Sequence, residues 1–215
     1  NNVTWSKAAT QMLAAEVYLW SAKVTLGDQT PAAGDLAAAE GYLNEVKGNT
    51  RFGLLDDFEK IFASNNKANK EIILAINYAD GESTSNVSQF LYADAGINLF
   101  YDKDGVRLGD PLNLKSTGLQ RYEYTLDFWK SFSDKDKRRD ATFMEYYDDK
   151  GVVKGTVVKK FIGSINATGS RVYDSNEPIY RYADVLLMLA EVENMKGGNP
   201  AQYINQIRQR AYGAN

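Results

Sequence analysis

The stretch Tyr182-Ala183-Asp184-Val185-Leu186-Leu187-Met188-Leu189-Ala190-Glu191-Val192 decides the fold. Its apolar residues are too continuous for a loop and too long a run for a strand, so it reads as a helix from about Tyr182 to Met195. Arg181 and Asp184 are placed to fix the helix start by ion pairing and capping, with Tyr182 packing inward. Gly197-Gly198-Asn199-Pro200 breaks the helix. Pro200 suits the first turn of a second helix running to Tyr212. Residues 181–212 therefore form a helical pair.

An earlier segment echoes this pair. Met12-Leu13-Ala14-Ala15-Glu16-Val17 matches Leu187-Met188-Leu189-Ala190-Glu191-Val192 in pattern, and Tyr42-Leu43-Asn44-Glu45-Val46-Lys47 matches Tyr203-Ile204-Asn205-Gln206-Ile207-Arg208. The extra length of the first copy falls in the turn, where insertion costs least. Residues 4–48 thus read as a second pair. Its first helix covers residues 4–26, capped by Thr4 or Ser6, with Ala8, Met12, Ala15 and Leu19 at helical spacing. Its second begins at a capping Asp35 and stops at Gly48. Trp5 and Trp20 are expected to pack, and Glu16 and Glu191 to make polar contacts between helices. The two pairs look like tetratricopeptide-type architecture, in which helix pairs bury their faces against neighbouring pairs.

Between the pairs the signals weaken. Residues 49–69 read as irregular, anchored by Phe52, Leu54, Leu55, Phe58, Ile61 and Phe62. Lys70–Tyr78 reads as a short buried strand. Residues 79–123, rich in Gly, Ser, Asn and Asp, form a long irregular excursion, and loops of that length are usually functional or disordered. Thr125–Phe132 reads as a short helix with Trp129 in the core. Asp134–Asp140 is a solvated, ion-paired turn. Residues 142–162 form a β-hairpin turning at Asp148-Asp149-Lys150-Gly151, and Gly163–Glu177 reads as a polar loop. The fold class is mostly α: tetratricopeptide-like helical hairpins with long irregular loops and a minor β-hairpin, in a single body.

Composition removes several kinds of chemistry. The 215 residues contain no histidine and no cysteine. A His base, a Ser-His-Asp triad, thiol catalysis, disulfides and His or thiolate metal sites are therefore out of reach. A net charge of -3 repels phosphate backbones, so nucleic acid is not an expected partner. No apolar run is long enough to span a membrane. Asp102-Lys103-Asp104-Gly105 opens like a calcium loop, but Gly105 comes too early and Pro111 stands where the closing Glu belongs. No metal and no cofactor is expected. Asp134, Asp136 and Asp140 offer paired carboxylates, which glycoside hydrolysis would need across a sugar. Arg138 and Arg139 between them favour local ion pairs instead. The start at Asn1-Asn2, without Met, signal peptide or lipidation motif, reads as that of a piece of a longer chain.

The stretch Pro178–Glu191 resembles the signature of the SusD/RagB family, as does Tyr203–Ala211. Lys7-Ala8-Ala9 through Tyr18-Leu19, Asn69–Ile76 and Asp134–Phe143 fit the same family in the same order. The resemblance implies a non-catalytic surface lipoprotein of the bacterial outer membrane. Such a protein binds glycans or other nutrients and serves a TonB-dependent, SusC-like transporter. It would be tethered by a lipid on a cysteine upstream. A peptide-binding tetratricopeptide-like scaffold is the alternative reading.

Aromatic residues make up 12% of the chain, led by 14 tyrosines. Sugars stack their C–H faces on such rings while neighbouring polar groups take the hydroxyls. In the excursion, Tyr92, Phe100, Tyr101 and Tyr122 are the candidate ligand-binding residues. Asn86, Gln89, Asp94, Asn98 and Asp102 lie near them in sequence.

Overall fold

The computed structural model describes residues 2–25, 27, 28, 30–93 and 95–213. In chain order the elements are α1 (Lys7–Ser21), α2 (Asp35–Lys47), β1 (Ile72–Ile76), α3 (Asn86–Leu91), α4 (Leu126–Lys130), α5 (Lys137–Thr142), β2 (Phe143–Tyr147), β3 (Val153–Val158), β4 (Ser164–Ile165), β5 (Arg171–Val172), β6 (Glu177–Arg181), α6 (Tyr182–Met195) and α7 (Ala201–Tyr212). Helices dominate and the strands are short, as expected from the sequence. The single body expected from the sequence divides into two compact units. One is built from residues up to Asp57, Ala68–Ile76 and Pro178 onward; the other from Phe58–Lys67 and Asn77–Glu177.

In the first unit both helical pairs form. Ser6 caps α1, its hydroxyl accepting from the Ala9 N–H at 3.2 Å. α1 ends at Ser21, short of the expected residue 26, which lies outside the described residues. Gly34 takes the cap of α2, and Asp35 instead accepts from the Ser21 hydroxyl at 2.6 Å. Gln11 near the start of α1 reaches Glu45 near the end of α2, so the two run antiparallel. Ala8, Met12, Ala15 and Leu19 meet Ala39, Leu43 and Val46 in one core, which α6 completes with Val185, Leu189 and Val192. Each fully buried Leu or Val there stabilises the fold by about 1.5–3 kcal/mol. Trp5 and Trp20 do not join this core. They are 59% and 49% exposed, because the small and apolar side chains of α1 occupy the face turned to α2 and Trp20 lies off it.

At the start of α6 the Arg181 N–H donates to the Asp184 carboxylate at 2.7 Å, as the sequence suggests. Glu16 accepts from the Tyr180 hydroxyl and Glu191 pairs with Lys23, so both repeated glutamates bridge segments. The strand expected in Lys70–Tyr78 is β1. It pairs with β6, a strand the sequence did not announce.

In the second unit, β2 and β3 pair antiparallel with Phe143 opposite Val158 and a bulge at Tyr146/Tyr147. The core joins Tyr92, Ala93, Ile97, Leu114, Phe143, Val157, Val158 and Tyr173. Two polar stretches are more ordered than expected. Lys137–Thr142 is helical, capped by Asp136, whose carboxylate accepts from the Arg138 N–H at 3.0 Å. Gly163–Glu177 contains the small hairpin β4–β5 and then buries Tyr173, Asp174, Ser175 and Asn176. Lys67 donates to Asp174 at 3.2 Å, and Asn176 accepts from the Tyr78 N–H at 3.0 Å.

Candidate functional site

The C-terminal carbonyls of α3 organise the excursion. The Gln89 carbonyl accepts from the Leu119 N–H at 3.2 Å, and the Phe90 carbonyl accepts from the Arg121 N–H at 2.8 Å. The Gln89 side chain donates to the Thr117 carbonyl at 2.7 Å. Residues 117–122 are thus pinned along one helix end. The chain then enters α4, where the Thr125 hydroxyl accepts from the Phe128 N–H at 3.2 Å.

This path leaves three aromatic rings in water: Tyr122 at 64% exposure, Tyr124 at 45% and Phe128 at 45%. Tyr124 and Phe128 stack with centroids 5.4 Å apart and planes 26° from parallel. Both meet the buried Phe143 edge-on, at 5.4 Å and 6.2 Å. Phe132 closes the other side of Phe128, edge-on at 5.4 Å. The result is an aromatic shelf of Tyr124 and Phe128 over a buried floor, with Arg121, Tyr122, Glu123 and Asp127 beside it in sequence. Such a surface stacks flat apolar faces while nearby polar groups donate and accept.

The four sequence candidates separate. Tyr92 has no exposed surface; it stacks on Tyr173 at 5.4 Å and its hydroxyl donates to the Lys160 carbonyl. Burial raises its pKa far above the usual phenol value. Phe100 is half-buried against Tyr146, 4.5 Å between centroids. Tyr101 is half-buried, and the Arg107 guanidinium lies over its ring at 5.2 Å. Tyr122 alone of the four presents an open ring. Among the described residues no ring contact joins it to the other three. Tyr124 and Phe128 were not singled out from sequence; Tyr124 stands just before the Thr125 cap and Phe128 in the first turn, so the two rings meet across the helix start. Asp94 lies outside the described residues.

The remaining candidates are structural. Arg138 clamps Asp136 at 2.8 and 2.6 Å, and Arg139 holds Asp134 at 2.5 Å and Asp140 at 2.9 Å. Arg139 also lies 5.4 Å from the centroid of Trp129, which packs half-buried against the core as expected. Asp102 accepts from the Asp104 and Val106 N–H groups, both at 2.9 Å, and so closes a turn. Among the described residues no group of three or more acidic side chains gathers as a metal ion would need. Among the described residues no helix is long and apolar enough to cross a membrane.

Comparison with known proteins agrees with this architecture. Residues 150–214 match the SusD family. A SusD superfamily protein from Bacteroides fragilis superposes with a TM-score of 0.90 at 43% identity, over 99% of this chain and 46% of its own. SusD-like protein P25 of Formosa agariphila is 25% identical, over 78% of this chain and 37% of its own length. The chain thus spans less than half the length of these relatives. Surface glycan-binding protein A from Bacteroides thetaiotaomicron, solved with laminarihexaose, shares the fold at a TM-score of 0.69 and 18% identity. The family segment at its C-terminal end, and a fold shared almost end to end with a superfamily member, place the chain in the SusD family.

Proposed function

We propose that the protein binds oligo- or polysaccharide at the bacterial cell surface, breaks no bond in it, and passes it to a TonB-dependent, SusC-like outer-membrane transporter. The stacked rings of Tyr124 and Phe128, with the exposed Tyr122 two residues earlier in the chain, carry the glycan reading. Exposed apolar rings gathered over a buried floor, as Tyr124 and Phe128 are over Phe143, mark a surface that a ligand can cover. A protein of the same fold has been solved with laminarihexaose, which supports the reading. Tyr122 and Tyr124 make the stacking contacts. Tyr101 contributes an edge at most, and Tyr92 and Phe100 hold the framework. The carboxylates that hydrolysis would recruit at 134–140 are engaged by arginines, which fits binding without cleavage. Likeness to the SusD family supports, as part of the same proposal, a surface location through a lipid anchor on the longer protein and the transporter partner.

Isothermal titration against a panel of oligosaccharides tests the binding. A shallow shelf implies dissociation constants of roughly micromolar to millimolar. Tyr122→Ala or Tyr124→Ala is expected to weaken the best ligand about tenfold, the worth of one stacked ring. A folded protein that takes up no glycan, or variants that bind as tightly as wild type, would remove the shelf from the site. Co-purification of the full-length protein with an outer-membrane transporter tests the partner.

A further inference from the structure

A cleft of about 400 Å³ in the second unit is separate from the shelf; it lies between the turns at 59–65 and the chain that follows β3. Its apolar wall is Phe62 and Phe161, whose rings meet edge to face at 4.9 Å and 66°. The Lys160 ammonium lies 4.2 Å from the centroid of Phe62 and 5.0 Å from that of Phe161. The rim carries Glu59 and Lys159, 3.4 Å apart, together with Ser64, Asn65 and Ser164. At the back sits the buried Ser175, whose hydroxyl accepts from the Gly163 N–H at 3.0 Å.

The backbone of this wall is strained. Phe161 has φ +63°, a left-handed conformation that a bulky side chain rarely adopts. Its neighbours hold it there. The Lys159 N–H donates to the Thr142 carbonyl at 2.8 Å, and the Lys160 carbonyl accepts from the buried Tyr92 hydroxyl. The Arg171 guanidinium donates to the Ile162 and Gly163 carbonyls, both at 3.4 Å. Gly163 is itself fixed, since a Cβ there would overlap the Val172 carbonyl. A glycine at 161 would relieve the strain, yet the chain places a ring there, on the wall of an open cleft. Strain retained in this way clusters where a surface is shaped for a ligand.

We propose that this cleft is a saccharide subsite distinct from the shelf, taking one or two neutral pyranose units. The volume lies in the range of small-molecule sites. Glu59 and Lys159 offset one another on the rim, and the Lys160 ammonium is engaged over the rings of Phe62 and Phe161, so the mixture suits a neutral sugar. Glu59 accepts, Lys159 donates, and the Asn65 amide does both, which is the mixture that adjacent sugar hydroxyls require. Phe161 supplies the apolar face for the C–H side of the ring. The site stands on these groups alone and does not depend on binding at the shelf.

Amide NMR of the 15N-labelled chain, titrated with methyl glycosides and disaccharides of neutral hexoses and xylose, tests it. Saturable shifts are expected at Asn65, Lys159 and Ser164. They should persist in the Tyr122→Ala/Tyr124→Ala double variant, so that failure of the shelf and failure of the cleft read differently. Asn65→Ala should abolish them. Phe161→Gly should keep the melting temperature close to wild type, because relief of strain offsets lost packing, and yet lose the shifts. The proposal is overturned if no neutral sugar moves these amides in the folded chain. It is equally overturned if only acidic sugars do, or if Phe161→Gly binds like wild type.

Discussion

Glu71 has no exposed surface, yet it accepts from the Arg210 guanidinium at 2.7 and 2.6 Å and from the Leu55 N–H at 2.8 Å. Arg181 approaches the same carboxylate at 3.8 Å, and the Glu71 carbonyl accepts from the Tyr182 N–H at 2.8 Å. One side chain therefore ties β1, residue 55, the start of α6 and the end of α7. Removing one partner of a buried pair strands the other charge, so Glu71→Gln is expected to cost about 3–5 kcal/mol, read from urea unfolding. Replacing Glu71 and Arg210 together by Leu and Met should cost less than either change alone. The phenols give a second test. Burial raises the pKa of Tyr92, and burial with the Glu16 hydrogen bond raises that of Tyr180. Both groups therefore stabilise the fold below about pH 10, where a free tyrosine begins to ionise, and that contribution fades as pH climbs towards their folded values. Absorbance at alkaline pH should show these two tyrosines ionising together with unfolding. Sequence reading put Tyr92 among the ligand-binding candidates, and the structure buries it. Its polar neighbours suggested a loop tip, whereas Tyr173, far along the chain, supplies the stacking partner that draws it inside.

Two turns repeat one design. Asp102 caps Asp104 and Val106, and Asp148 accepts from the Lys150 N–H at 3.0 Å and the Val152 N–H at 2.9 Å. Bridges of Tyr101 to Arg107 and to Tyr147 set the hairpins side by side. The Val152 and Lys150 bonds hold the Asp148 carboxyl below the usual aspartate value. Its contribution is therefore present through neutral pH and is lost only as pH falls below about 4. The Val152 amide shift should track that loss. The loop 110–117 needs a different clamp. Asp110 accepts from the Leu114 and Lys115 N–H groups, and Arg171 donates to the Leu112 carbonyl at 2.8 Å and the Asn113 carbonyl at 3.1 and 2.8 Å. Arg171→Ala is expected to cost about 1.5–3 kcal/mol and to speed amide exchange in 112–117. These details mark where the sequence stops being legible. α1, α2, α6 and α7 announce themselves because a period and a break are local facts. An arginine holding distant carbonyls leaves no period, so β4–β5, β6 and the path of 110–122 had to be seen. The shelf was half legible: Tyr122 stood out, while Tyr124 and Phe128 were passed over, because it is the packing on Phe143 that brings their rings together at the surface.

The two units differ in how the chain supplies them. The second is nearly continuous, whereas the first gathers three separate segments. The core of α1 and α2 is covered by Val185, Leu189 and Val192 of α6. Changing Leu189 to Ala should therefore cost about 2–5 kcal/mol and loosen α1 and α2, far away in sequence. Hydrogen exchange should report this as faster exchange in both early helices, with protection around β2–β3 unchanged.

Emergence from the ribosome gives this arrangement a timetable. α2 ends at Lys47, and its cover, α6, begins only at Tyr182. The first hairpin is therefore made early and completed late. Until α6 appears, Met12, Leu43 and Val46 have only one another for cover, and the nascent chain offers their open side to whatever holds unfolded proteins. The second unit suffers no such wait. A chain made this way carries its own delay, leaving α1 and α2 without their full cover until α6 has been synthesised.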